Sequence, residues 1–138
     1  MHRTLQPAGW VSPSGYANGV SAEGRQIYVG GQIGWNTENR FESDDLVAQV
    51  RQALQNVVAV LREGEAEPRH LTSMTWYFVD KREYLARLKE IGEVYRAVLG
   101  RHYPAMAALQ VSALMEDRAK VEIQAIAVVP AAKSSVGR

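Results

Sequence analysis

Hydrophobic and polar positions alternate along parts of this chain with the two-residue period of strands, and elsewhere with the 3.6-residue period of helices. Alternating and β-branched segments predict five strands, at residues 17–22, 26–33, 71–80, 105–114 and 119–129. Apolar residues recur at helical spacing in two segments, one with Leu46, Val50, Leu54, Val57 and Leu61 and the other with Tyr84, Leu88, Ile91, Tyr95 and Val98. The predicted order of elements is β-β-α-β-α-β-β, without an internal repeat.

Residues that start or stop helices flank both helical segments. Ser43 is the predicted N-cap of the first helix, with two aspartates in its first turn, and Gly64 ends it. Asp80 is the predicted N-cap of the second helix, and Gly100 ends it. Both helices are therefore bounded by residues of the expected type.

Two helices can cover one face of the predicted sheet and leave the other face bare. Odd-numbered positions of the last two strands are uniformly apolar, which predicts that they form the core side. The second face would then carry Met106 together with the apolar residues Trp76, Phe78, Ile126 and Val128. Since an exposed apolar patch of this kind usually marks a subunit interface, we expect a homo-oligomer.

Composition is that of an ordinary globular protein and narrows the choice of partners. The 138 residues are 46% hydrophobic and 22% charged, which fits one domain at 1–130 followed by a flexible tail at 131–138. Sixteen basic and fifteen acidic residues give no excess of positive charge, so we expect no nucleic acid or membrane as partner. No segment has the pattern of a signal peptide or membrane span, and we expect a cytoplasmic protein.

Several kinds of catalytic site find no support in the sequence. The chain has no cysteine, and its three histidines are separated in sequence, so we expect neither thiol chemistry nor a metal site. The glycines of YVGGQIG have the spacing G-G-x-x-G and precede the next helix by about ten residues, which disfavours a dinucleotide site. A close approach of backbone or small ligand is the favoured reading of these glycines.

Two residues are candidates for acid–base chemistry. Glu122 stands within the apolar strand VEIQAIAV, where it is either a solvated or paired residue or, if an interface desolvates it, a general acid or base. Tyr16 lies in a glycine-rich segment and is either a packing ring or a hydroxyl donor at a cleft. The residues alone leave both alternatives open.

Four segments of the chain together resemble the Rid family of reactive-intermediate deaminases, also called YjgF-like proteins. They are IYVGGQIG, the helical QALQNVVAVL with Asn56, VYRAVLGRHYPAMAALQVSAL, and KVEIQAIAVV, and the likeness extends from Tyr16 to Val129. The resemblance implies a chorismate-mutase-like α+β fold with a mixed sheet and two helices on one face. It also implies a homotrimer with small-molecule clefts between subunits and a hydrolysis of enamines or imines without metal or cofactor.

Site residues follow from the same resemblance. Glu122 and Tyr16 correspond to the family's catalytic glutamate and tyrosine, and Gly31 corresponds to a backbone contact to the substrate. The residue after Pro-Ala, which in the family's deaminases is an arginine that binds the substrate carboxylate, is Met106 here, and Ala107 adjoins it in the expected substrate wall. Methionine offers only apolar contact, so the family's usual specificity does not carry over.

Three functions remain open at this point. The chain is a deaminase-like hydrolase of altered specificity, a non-catalytic trimer that binds a small metabolite, or, less favoured, a protein acting on RNA or translation. Arg101 and Arg25 are candidates to replace the missing cation. Gly92 also departs from the family, since many members have an asparagine at this position.

Overall fold

The fold combines one mixed sheet with helices on one side of it. A computed structural model of the chain describes residues 2–132, so residues 133–138 of the tail predicted at 131–138 lie outside the described residues. The strands are β1 (Arg3–Leu5), β2 (Gly19–Ser21), β3 (Arg25–Ile33), β4 (Leu71–Phe78), β5 (Ala105–Gln110) and β6 (Val121–Val129). The helices are α1 (Leu46–Glu63), α2 (Lys81–Ala86) and α3 (Leu88–Leu99), and a short 3₁₀ helix spans Pro68–His70.

Four strands form the main sheet in the order β3-β6-β4-β5. The pairs β3–β6 and β4–β6 are antiparallel, whereas β4 and β5 are parallel and are joined across α2 and α3. Strands β1 and β2 pair separately as a small antiparallel ribbon. Strand β2 lies within the strand predicted at 17–22, whereas β1 was not predicted. The predicted mixed α+β architecture is confirmed, with β5 at one edge of the sheet.

The helix boundaries differ from the prediction at two points. Asp45, not Ser43, is the N-cap of α1, because its carboxylate accepts the Ala48 N–H at 3.0 Å. The single helix predicted after Asp80 is two helices, since the backbone leaves helical geometry at Arg87, with φ −116° and ψ 18°. Gly100 ends the second of them, and its φ of 79° lies in the left-handed region that favours glycine.

One hydrophobic core lies between the helices and the sheet. The fully buried residues of α1 include Val50, Ala53, Leu54, Val57 and Leu61, which are nearly the stripe that the sequence predicts. From the sheet, the alternate residues Val121, Ile123, Ala125 and Ala127 of β6 enter the same core. Burial of such side chains stabilises each by roughly 1.5–3 kcal/mol, and this packing fixes which side of β6 faces the helices.

The predicted orientation of β4 and β5 is wrong. Trp76 and Phe78 are 3% and 2% exposed and face the helices, whereas they were expected on the second face of the sheet. In the parallel register Met106 pairs with Met74 and Ala108 with Trp76, so the even-numbered residues of β5 also face the helices. Alanine occurs on both sides of this edge strand, so its apolar pattern cannot define a face.

An outer face, defined here as the side of the sheet opposite the helices, nevertheless exists and is partly apolar. Tyr28, Ile126 and Leu109 are exposed there, while Tyr77 donates a hydrogen bond to Gln124 at 2.9 Å. Val128, expected on this face as exposed surface, is buried. Within residues 2–132, no helix is both long and apolar enough to cross a membrane.

Candidate functional site

A cleft opens between the edge strand β5 and the helices α2 and α3. We call it the aromatic cleft; its volume is about 790 Å³, and its wall consists of Pro13, Ser14, Gly15, Tyr16, Trp76, Tyr84, Leu88, Ile91, Gly92, Tyr95, Arg96, Tyr103, Met106 and Ala108. Its size falls within the range of small-molecule sites, and its wall is mostly apolar with a few polar groups. These are the properties of a ligand site.

The segment that carries Tyr16 is held at the edge of the sheet by backbone contacts. Ala17 forms a parallel bridge with Ala105 at the start of β5, and its N–H donates to the Pro104 carbonyl at 3.0 Å. Tyr16 therefore lines the cleft together with Met106, and the residue as a whole is 43% exposed.

Aromatic rings follow one another through the cleft and the adjoining core. Tyr103 stacks on Tyr95 at 5.3 Å between centroids, and Tyr95 lies 6.2 Å from Trp76. Phe78 follows at 6.1 Å from Trp76 and stacks on Tyr84 at 4.2 Å. Burial raises the pKa of both Tyr84 and Tyr95, so their hydroxyls stay protonated at neutral pH. The wall is thus an extended, uncharged aromatic surface.

Polar groups in this wall are few. Arg96 is the one charged side chain among the described residues that line it. Neither cation proposed from the sequence lines this wall. Arg101 lines an adjoining cavity that shares Pro13, Tyr16 and Tyr103 with the cleft, and Arg25 donates to the Gly64 carbonyl. The indole N–H of Trp76 is buried without a hydrogen-bond partner in residues 2–132. A buried donor of this kind is an opportunity for a ligand acceptor, since leaving it unpaired costs about 1–3 kcal/mol.

A second arrangement lies on the outer face, where β3 is irregular. The register between β3 and β6 shifts between Val29 and Gln32, which makes Gly30 and Gly31 a β-bulge. Glu122 of β6 directs its carboxylate against Gly31, and a side chain added at Gly31 would collide with it. Glu122 is half-buried and has no ion pair or hydrogen bond with another described side chain. A free carboxylate is therefore seated on a glycine bulge.

These two arrangements are on opposite sides of the sheet within one chain. Glu122 pairs in register with Tyr77 and shares its side, whereas Met106 pairs with Met74 on the helix side. Tyr16 and Met106 thus come together in the aromatic cleft, and Gly31 and Glu122 come together on the outer face. Ala107 pairs with Thr75 on the outer side and is absent from the wall of the cleft.

Comparison with known proteins establishes the family. The profile of the endoribonuclease L-PSP family matches residues 10–129, which is most of the chain. The chain belongs to this family, that of the Rid or YjgF-like proteins. Human 2-iminobutanoate/2-iminopropanoate deaminase is 27% identical over 126 residues, which cover 91% of this chain and 86% of the human protein. The protein of that name from Escherichia coli K12 is 30% identical over 116 residues, covering 82% and 86%.

Solved structures agree with this assignment. The conserved Rid-family protein YyfB from Yersinia pestis superposes with a TM-score of 0.82 at 28% identity, covering 93% of this chain and 98% of the Yersinia chain. The likeness thus spans the whole sheet and all three helices. The resemblance to the Rid family, which four short segments of the sequence indicated, is confirmed.

The sequence pattern missed most of the cleft wall of this Rid-family chain. Tyr84, Leu88, Ile91 and Tyr95 were assigned to the core stripe of one helix, but they also line the cleft. Two signals were available: tyrosines in a core stripe carry hydroxyls that need partners, and a glycine at position 92 interrupts a helix interior. The hydroxyl of Tyr95 has such a partner, the His102 carbonyl at 2.5 Å.

The histidines of this Rid-family chain lie closer together than their sequence separation implies. His2 and His102 have ring centroids 6.4 Å apart, and each ring contacts a backbone carbonyl. His70 accepts the Glu67 N–H at 3.0 Å, so its ring is used as an acceptor. In the described part of the chain, no three His, Asp or Glu side chains are arranged to hold a metal ion.

Proposed function

We propose that the chain is a deaminase-like hydrolase of small imines or enamines, whose complete site forms where two subunits of a homotrimer meet. The aromatic cleft of one subunit, with Tyr16 and Met106, would face the Gly31 bulge and Glu122 of the next. The observation that carries the proposal is the unpaired Glu122 carboxylate, held against a glycine bulge on an apolar face. The names of the human and E. coli relatives support the reaction class.

The chemistry requires a water molecule and three proton transfers, starting from the protonated imine. The Glu122 carboxylate takes a proton from water as the water oxygen bonds to the imine carbon, which gives a neutral carbinolamine. Glu122 then gives that proton to the amino nitrogen. As the C–N bond breaks and ammonia leaves, the carbinolamine hydroxyl returns its proton to Glu122, which releases it to solvent. The Tyr16 hydroxyl hydrogen-bonds the reacting centre. Imine and water are thereby converted to a carbonyl compound and ammonia, and no electrons are exchanged with a cofactor.

Substitution of Glu122 tests the reaction. A threonine dehydratase supplies imine and enamine intermediates continuously, and the formation of 2-keto acid is followed with and without the purified protein. We expect Glu122→Gln to lower the acceleration by about 10²–10⁴-fold, the usual effect of removing a general base. Glu116→Gln is the matched control, because Glu116 is an exposed carboxylate in the loop before the same strand. Absence of acceleration by the wild type would favour the alternative of a non-catalytic metabolite-binding trimer.

Mixed oligomers test whether the site is shared. Two inactive variants are co-expressed: Glu122→Gln, which damages the outer face, and Ala108→Trp, which fills the aromatic cleft. If each site combines two chains, random assembly leaves about a quarter of the sites with both intact halves, and activity returns to that fraction. If each site were complete within one chain, the mixture would remain as inactive as its components.

The oligomer itself is tested on the outer face. Ile126, 36% exposed in the single chain, would be buried between subunits. Introducing a charge there with Ile126→Glu should dissociate the trimer, which sedimentation velocity measures, and activity should decrease with it. The exposed Val60 of α1 offers a control, since Val60→Glu adds the same charge on the opposite side of the molecule.

A further inference from the structure

Arg96 occupies an unusual position for a surface arginine. It lies on α3 near the helix end, and its side chain lines the aromatic cleft as the one positive charge of that wall in residues 2–132. Arginine stays protonated at any physiological pH, so the charge is permanent. The cleft is therefore apolar except at this point.

The guanidinium of Arg96 is not engaged by another described side chain. Some arginines of the chain are in ion pairs, such as Arg87 with Asp45 and Glu90, whereas others, such as Arg51, have no ion pair within residues 2–132. Arg96 has no ion pair or side-chain hydrogen bond with residues 2–132, although Glu93 precedes it by three positions, at helical-neighbour spacing. Its donors are free for a ligand.

Gly92 provides the space that Arg96 occupies. It stands one helical turn earlier, also in the cleft wall, and a Cβ added there would lie 3.3 Å from Nη1 of Arg96. Glycine weakens the interior of a helix, and its backbone here does not need a positive φ. The guanidinium thus lies over the helix at Gly92, while Arg96 as a whole stays exposed and open to a ligand.

The wall around this cation is built for flat or bulky apolar groups. Tyr103, Tyr95 and Trp76 form a continuous series of rings, and Met106 adds a flexible apolar surface. The volume of about 790 Å³ is large for an imine of three or four carbons. A fork of guanidinium donors recognises a carboxylate in two-point geometry.

We propose that Arg96 is the anion-binding residue of the aromatic cleft, and that the substrate is a 2-imino acid with an aromatic or large apolar side chain. This inference rests on the proposed function for the reaction, but its binding part is independent of catalysis. The carboxylate of the substrate contacts Arg96, and its side chain lies against the aromatic rings. Small aliphatic imino acids fill the cleft poorly and bind less tightly.

A binding experiment separates the inference from the reaction. Isothermal titration with 3-phenylpropanoate is compared with propanoate and with the uncharged 3-phenylpropanol. We expect the wild type to prefer 3-phenylpropanoate, and Arg96→Gln to weaken it about 10- to 100-fold while leaving 3-phenylpropanol within about twofold, because one charged hydrogen-bonded contact is lost. Arg51→Gln, an exposed arginine on α1 outside the cleft, is the matched control.

A rescue variant guards against a merely structural effect of Arg96→Gln. Met106 lies in the same wall, so Met106→Arg in the Arg96→Gln background should restore affinity for the carboxylate. The inference is overturned if Arg96→Gln binds 3-phenylpropanoate as tightly as Arg51→Gln does, or if propanoate binds as tightly as 3-phenylpropanoate.

The same variants are then assayed with 2-imino-3-phenylpropanoate, generated by an L-amino-acid oxidase. Arg96→Gln should raise KM more than it lowers kcat, because the contact is to a part of the substrate that does not react. Carboxylate binding that depends on Arg96, in a wild type without hydrolytic activity, would support the inference and reject the proposed function. Hydrolysis that is lost in Glu122→Gln but unchanged in Arg96→Gln would support the proposed function and reject the inference about Arg96.

Discussion

The aromatic cleft and the outer-face carboxylate are built from different parts of the molecule. Glu122 belongs to β6, whose neighbouring residues Val121 and Ile123 are completely buried and whose strand lies within the sheet. The cleft instead lies between the edge strand and α2 and α3, and its wall includes half-exposed side chains such as Leu88 and Tyr16. The group proposed to move protons is thus fixed by the core, whereas the groups proposed to select the substrate are at the periphery.

This difference teaches where change is tolerated. A displacement of the Glu122 backbone would require β6 to move against its two neighbouring strands and α1, which close packing opposes. A change at the exposed part of the cleft wall, at Leu88 or Tyr16, leaves the core intact, whereas other wall residues such as Trp76 belong to the core as well. The proposed catalytic carboxylate and the proposed specificity residues therefore belong to different elements, and a substitution can alter one of the two regions without altering the other.

The largest effect is expected at the glycine bulge. Gly31→Ala places a methyl group where the Glu122 carboxylate lies, so the carboxylate must turn away, and imine hydrolysis should decrease about 10²-fold or more. Gly30→Ala is the control one residue earlier, since nothing lies within 4 Å of a Cβ there. Steady-state kinetics of the two variants measures this, and equal activities would argue against a catalytic Glu122.

The two regions should also differ in their contribution to stability. Ile123→Ala, next to Glu122 in the core, should reduce the free energy of unfolding by about 2–5 kcal/mol because it leaves a cavity. Leu88→Ala in the cleft wall removes a side chain that is 47% exposed and should cost less than about 1 kcal/mol. Urea denaturation followed by circular dichroism compares them, and similar losses would contradict the division between core and periphery.

Gly92 offers a finer test, since one substitution should move stability and binding in opposite directions. Gly92→Ala should stabilise α3 by about 0.5–1 kcal/mol, the usual gain in a helix interior. The added Cβ lies 3.3 Å from Arg96 Nη1 and displaces the guanidinium slightly, so affinity for 3-phenylpropanoate should fall a few-fold. Thermal unfolding and titration calorimetry on one preparation measure stability and affinity. A gain in both would show that Gly92 does not position the guanidinium of Arg96.

The smallest effect is expected far from both regions, at His70. Burial lowers the pKa of this histidine below its ordinary value of 6.5, with Arg69 adding to the decrease. Above pH 6.5 the ring is neutral whether the chain is folded or unfolded, and the stability it contributes is fully present. As pH falls below 6.5 the unfolded chain binds the proton more readily, so the free energy of unfolding decreases toward the lower pKa of the folded state.

A variant isolates the contribution of His70 from that of the other histidines. His70→Asn keeps an acceptor for the Glu67 N–H and does not titrate, so its stability should depend less on pH between 7 and 5. Denaturant unfolding at several pH values measures the difference. Parallel curves for the two proteins would show that His70 does not contribute.

The sequence predicts α1 and β6 well, because both have one buried side and a matching period. The apolar stripe of α1 and the alternating positions of β6 are the core observed in the structure. Edge strand β5 is different: alanines on both of its sides leave its phase open, and only pairing with β4 fixes it. Tertiary register, which no local pattern encodes, decides that Met106 faces the helices.

The candidate site was predictable to a similar degree. Gly31 and Glu122 were assigned to one site through the family resemblance, and the two residues are in contact across neighbouring strands. Their catalytic role stays a prediction. Arg96 was not identified, because an arginine in the last turn of a helix is ordinary in sequence. Its significance depends on Gly92 and Tyr95 of the same helix and on the rings of Trp76 and Tyr103, which only the folded chain brings to it.

None of the six residues of α2 is fully buried, although Tyr84 of this helix forms part of the cleft wall. Selection for a new substrate could therefore replace residues here while the folding of the rest of the chain stays nearly unaffected, because mutations at such positions change stability little. The break at Arg87 adds to this freedom, since α2 can be altered without changing the path of α3. In this molecule, new specificity can be acquired through a helix that has no fully buried residue.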